Sequence, residues 1–198
     1  MGERSAGNPH AAVDAAGAGH VARARWCDTR RRKSEPTGNT NFDLNRRASP
    51  RPYQLSQPGA QPILTVSGKI GVVNKNGSAQ FDRAMLEALG TVSFSTHTPW
   101  YKDPVTFEGV PLVRLLDLLE VHGDTLIAVA LNDYTTEIPI TDATKYGPIL
   151  ALKRNGEYMP VRDKGPIFIV YDYDSNSDLR SQKFYSRSAW QVTRIEIK

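Results

Sequence analysis

The chain holds a single cysteine, Cys27, so no disulfide can form within it. A disulfide-free protein suits cytosol and periplasm alike, and the redox compartment stays open. No apolar run approaches the ~20 residues that a membrane-spanning helix needs. Histidine is scarce: after residue 62 there are only His97 and His122, neither beside a second ligand at metal spacing. Glycine-rich phosphate cradles are missing, with neither a Gly-x-Gly-x-x-Gly nor a Walker pattern. Ser95, Ser186 and Ser188 lack the Gly-x-Ser-x-Gly setting of a hydrolase nucleophile. Asp172 to Asp178 has neither the central glycine nor the terminal glutamate of an EF-hand, and reads as an acidic turn after a core strand.

What is present is unevenly placed. The 198 residues carry a net charge of +4, and ten basic against five acidic residues lie before Ile63. Beyond that point fifteen basic residues face sixteen acidic ones. The basic pI of about 9.2 therefore reports on a tail rather than on a charged binding face, and no nucleic-acid partner is expected. Residues 1–62 are too poor in large apolar side chains for burial to offset ordering entropy, and are expected to be a disordered basic extension. Arg30-Arg31 and Arg46-Arg47 are not followed by an apolar stretch, so no export signal is expected here.

Residues 63–198 are expected to form one domain. Ile63 to Ile70 is rich in β-formers and broken by Gly68. Ser78 is placed to cap a short helix presenting Phe81, Met85, Leu86 and Leu89, with Gly90 as its stop. Strands are expected over Thr91 to Ser95, Thr125 to Leu131, Thr136 to Ile140, Ile167 to Tyr171 and Gln191 to Ile197. Pro111 suits the first turn of a helix over Leu112 to Val121, whose leucines would pack on a sheet. Thr141 or Asp142 can cap a single turn. Asn155-Gly156 predicts a hairpin between Ile149 to Lys153 and Tyr158 to Val161. Strands outnumber helices, which points to an α+β domain with a mixed sheet and few short helices.

Several segments carry a family likeness. Phe107-Glu108-Gly109-Val110-Pro111-Leu112 opens a helix. Leu131-Asn132-Asp133-Tyr134 precedes Glu137-Ile138-Pro139-Ile140, and Asn155-Gly156-Glu157 leads to Val161-Arg162-Asp163-Lys164-Gly165-Pro166. Tyr185-Ser186-Arg187-Ser188-Ala189-Trp190 comes last. In that order they resemble the molybdopterin-binding domain of the sulfite oxidase-type oxidoreductases, in its short bacterial form. The resemblance implies that fold, a molybdopterin cofactor, oxygen-atom or electron transfer, and a periplasmic location. The family ligates molybdenum through a cysteine, whose place falls at Ser95 or Thr96, and Arg187-Ser188-Ala189-Trp190 lacks the family's lysine before the tryptophan. A neutral hydroxyl is a poor substitute for a thiolate at an oxidised transition metal.

Two readings follow: a molybdopterin-dependent oxidoreductase, or a non-catalytic ligand-binding or interaction module that has lost the metal site. Either way the ligand is expected to be small, and anionic or heteroaromatic. Arg162, Lys164 and Arg187 would gather as an anion site if the loops before the last two strands pack together. Trp100, Tyr134 and Asn132 would stand beside them as an aromatic wall and a polar strand end. The alternative is that Arg162-Asp163-Lys164 is a self-compensating turn and Arg187 pairs with Asp174 or Asp178.

Overall fold

The computed structural model describes residues 55–198. The disordered extension expected over residues 1–54 lies outside the described residues. Residues 55–62, expected in the same tail, pack on the domain: Leu55 joins the core, and Gly59 and Ala60 donate backbone N–H groups to Asp82 Oδ2 at 2.8 and 3.0 Å.

Two five-stranded sheets and four short helices make a mixed α+β domain. The first sheet runs β2 (Ala79–Phe81), β1 (Leu64–Gly68), β10 (Val192–Ile197), β5 (Thr125–Ala130), β6 (Thr135–Pro139). The C-terminal strand β10 lies parallel to β1 and antiparallel to β5, so the last residues of the chain hold the sheet's centre. The second sheet runs β3 (Val92–Thr96), β4 (Val105–Pro111), β7 (Ile149–Arg154), β8 (Glu157–Tyr158), with β9 (Phe168–Val170) also paired to β7. Gly109 lets β4 and β7 approach, because a Cβ there would collide with the Leu150 carbonyl. Asn155 and Gly156 both have positive φ, 50° and 84°, the two-residue turn that matches strand twist.

The main core lies between the inner face of the first sheet and one side of β7 and β9. Leu150, Leu152 and Ile169 point into it, while Ile149, Ala151, Phe168 and Val170 point the other way into a second, smaller cluster with Val105, Phe107 and Met159. Phe94, Trp100 and Tyr101 close that smaller cluster. Helix α2 (Leu112–Leu118) follows β4 without a loop and buries Leu112, Leu115 and Leu116 in the main core, with Leu119 just beyond its end. The leucine stripe is as expected, although the helix ends earlier and Pro111 caps it from outside. The described residues contain no helix long and apolar enough to cross a membrane.

Several sequence expectations are corrected. The helix assigned to Ser78 begins later: residues 79–81 are β2, and Asp82 caps α1 (Arg83–Ala88) by accepting from Met85 N at 2.8 Å. Its Oδ1 takes the helix and its Oδ2 the 59–60 backbone, so these N–H groups, Met85's foremost, hold the Asp82 pKa below its ordinary 3.8. Phe107 to Pro111 lies in strand β4 rather than opening a helix, since Phe107 and Val110 are buried on opposite faces of a sheet. Residues 182–187 form helix α4 (Gln182–Arg187), which had no expected counterpart. Helix α3 (Thr141–Lys145) has no side-chain cap; Asp142 is buried and bonded elsewhere.

Candidate functional site

Three segments meet at one end of the domain: the loop after β3, the β5–β6 turn, and α4 with the residues that lead into β10. They enclose a cavity of about 370 Å³. Volumes of this size accept one small molecule. Trp100 is its hub. The indole makes edge contacts with Phe168, Tyr173, Tyr185 and Trp190, at centroid distances of 5.4, 6.2, 6.1 and 5.8 Å. Edge-to-face packing aligns the positive rim of one ring with the negative face of the next and fixes every ring plane. The wall is thus held by aromatic residues from four separate segments, before any ligand arrives.

The roof comes from the β5–β6 turn. Tyr134 Oη donates to the Ser186 carbonyl at 3.1 Å, and Asn132 Oδ1 accepts from Tyr134 N at 3.2 Å. With its oxygen so used, Asn132 keeps its NH2 group free to donate into the cavity that it lines. Gln182 and Ser186 of α4 add polar groups on the opposite side. Below them Ser188 Oγ donates to Phe184 O at 2.9 Å, so the 2.5 Å contact with Tyr173 Oη has the tyrosine as donor. Burial pushes the Tyr173 hydroxyl above its ordinary pKa and keeps it a proton donor. Among the described residues no carboxylate lines the cavity.

Of the six residues expected at the site, Trp100, Asn132 and Tyr134 line this cavity together. The three cations do not gather. Lys164 stands in left-handed backbone conformation, with Nζ 4.7 Å from the Trp190 ring centre and 5.5 Å from that of Tyr101. It forms no ion pair among the described residues and rests on Trp190, a lining residue, without lining the cavity itself. Arg162 is exposed in the preceding turn. Arg187 is withdrawn altogether. Its Nη1 donates to Asp142 Oδ2 at 2.6 Å, with the two side chains only 15% and 8% exposed. Tyr171 Oη donates to the same oxygen at 3.2 Å. The partner expected among Asp174 and Asp178 is therefore Asp142, and the anion site expected of Arg187 is already filled by this chain's own carboxylate. The neighbouring turn is not self-compensating either, because Asp163 pairs with Arg154 at 2.5 Å.

The resemblance implies a molybdenum held at the end of β3. Ser95 is exposed there, while Thr96 is fully buried and its hydroxyl accepts from Asp174 N at 3.1 Å and contacts the His97 carbonyl at 3.4 Å. Neither offers a soft anionic donor, and the Thr96 oxygen is already engaged by backbone. These residues do not fit the metal. His97 Nδ1 lies 2.8 Å from Asp174 Oδ2, and Arg180 bonds the other oxygen at 2.6 Å. This holds the β3 exit to the Asp172–Asp178 turn and leaves the imidazole largely in water.

Gln182, Ser186 and Ser188 are not among the expected site residues, because α4, which carries the first two and ends just before the third, has no expected counterpart. Ser181 in a cap position ahead of Phe184 was the one available signal. No protein-family model matches this chain, and no curated protein matches it either. Fold and site together define an α+β domain with a preformed aromatic cavity.

Proposed function

We propose that the domain is a non-catalytic ligand-binding module related to the molybdopterin-binding domain of the sulfite oxidase type, taking a planar heteroaromatic molecule with an anionic group. The observation that carries this reading is the Trp100-centred cavity, walled by rings and free of carboxylates, with Lys164 on Trp190. A flat ring system gains dispersion and edge contacts there, and Asn132 offers a donor to its periphery. Lys164 favours a ligand with negative charge near the Trp190 side. The oxidoreductase reading needs a ligand for molybdenum that Ser95 and Thr96 do not supply. A bicyclic pterin matches both the cavity and the family likeness.

Titration with 6-carboxypterin, followed by tryptophan fluorescence, tests the proposal. One-to-one saturable binding is expected, weakened about tenfold in Trp190→Ala, equivalent to about 1.4 kcal/mol. Lys164→Ala should weaken 6-carboxypterin more than unsubstituted pterin. Absence of saturation up to millimolar pterin would overturn the reading. Stoichiometric molybdenum in protein from a molybdenum-replete host would restore the enzymatic one.

A further inference from the structure

A second groove, of about 470 Å³, runs over the open side of the first sheet and is separate from the aromatic cavity. Its floor includes Thr65 of β1 and Thr193 of β10, and its walls come from Ile63, Leu131, Val161 and Pro166. Leu131 and Val161, both lining the groove, are 52% and 51% exposed and present large aliphatic side chains to solvent. Among the described lining residues only Arg83, at the start of α1, belongs to a helix.

The groove is lined by arginines, although the Asp133 and Glu87 carboxylates stand close by. Arg83 and Arg194 line it and, among the described residues, no carboxylate does. Arg83 stacks on the Tyr158 ring at 4.3 Å and has no acidic partner among the described residues. Arg194 meets Asp133 at 3.4 Å, and both side chains are largely in water, where such a contact adds little. Arg162 stands exposed on the turn that carries Val161. The excess is local, since the chain beyond residue 62 has fifteen basic and sixteen acidic residues.

We propose that this groove docks an acidic, aliphatic-bearing peptide segment of a partner protein. Guanidinium groups with unused N–H donors favour carboxylates, and the exposed Leu131 and Val161 favour aliphatic side chains between them. Single-stranded nucleic acid fits less well, because among the described residues no aromatic ring lines the groove for a base to stack on. The groove adjoins the cavity: Leu131 lies between Ala130 and Asn132 of its lining, and Leu131 N donates to Gln191 O at 3.0 Å. A docked segment therefore stands at the rim of the ligand site.

The test uses the full chain and a fluorescein-labelled twelve-residue peptide alternating glutamate with leucine, read by anisotropy. Its glutamine counterpart and an oligothymidylate serve as competitors. Saturable binding is expected that weakens with salt. It should fall at least tenfold in Arg83→Glu/Arg194→Glu and at least fivefold in Leu131→Asn/Val161→Ser. These side chains are exposed, and unchanged thermal midpoints confirm that the variants fold. Because ten basic residues precede Ile63, peptide binding that ignores both groove variants belongs to them and overturns the proposal. So does absence of binding, or equal competition by the glutamine peptide or oligothymidylate. Self-association that the same variants abolish would make the occupant a second copy and also overturn it.

Discussion

In the first sheet, β5 alternates buried Leu126, Ala128 and Ala130 with Ile127 and Val129 that partly meet solvent, whereas β7 in the second buries Ile149, Leu150, Ala151 and Leu152 in succession. The difference lies in what covers each face. One sheet has a single core beneath it; the other separates two cores, of which the smaller has no helix to close it. Loop aromatics close it instead, and rigid rings that meet edge-on leave space between them. The cavity arises where the doubly buried sheet runs out of aliphatic cover. The groove arises on the other sheet, on the face that was never covered.

That contrast can be broken by mutation, and the largest effect is expected in the smaller core. Phe168→Ala should cost about 3–5 kcal/mol, measured by urea unfolding, since it removes a fully buried ring that also touches Trp100. A loss below about 1 kcal/mol would show that the smaller cluster is not a true core. Asp142→Ala strips Arg187 and Tyr171 of their shared acceptor and should cost about 3–5 kcal/mol, because a buried guanidinium is left unpaired. Replacing Arg187 with methionine in the same chain should recover part of that loss. No recovery would mean that Asp142 acts through something other than this pair.

In the main core Leu116→Ala should cost about 2–5 kcal/mol. On the open face Ile127→Ala should cost less than about 1 kcal/mol, the range for positions that keep solvent contact. Equal costs at residues 116 and 127 would show that the open face is covered in solution. The smallest effect concerns pH. The folded Asp82 carboxyl titrates below its ordinary value, so its stabilising contribution is complete above about pH 4 and is lost as pH falls through the lower folded value. Asp82→Asn should flatten the decline of the urea midpoint between about pH 4 and pH 2. An unchanged slope would assign the acid sensitivity elsewhere.

Legibility followed distance along the chain. The Leu112 to Leu119 stripe, the Thr125 to Leu131 strand and the Asn155-Gly156 turn are each set by residues a few positions apart, and each was readable in place. Phe107 to Pro111 was misread because Pro111 and the leucines after it signal a helix start. Its strand character depends on pairing with β3 and β7. At the site, Trp100, Asn132 and Tyr134 were legible as an aromatic and polar set beside strand ends. The gathering of Arg162, Lys164 and Arg187 was not a property of their spacing.

By itself the sequence determined the class of the domain, its strand-rich composition, the hairpin and the leucine face of α2, because these depend on side-chain period and on turn residues within a few positions. Tertiary structure alone decided that β10 enters between β1 and β5, that Trp100 joins four rings, and that Arg187 serves Asp142 instead of a ligand. The Arg187 and Asp142 side chains are 45 residues apart and meet at 2.6 Å. Burial makes such a pair choose one partner: a guanidinium removed from water needs a nearby carboxylate, and only packing says which one is within reach.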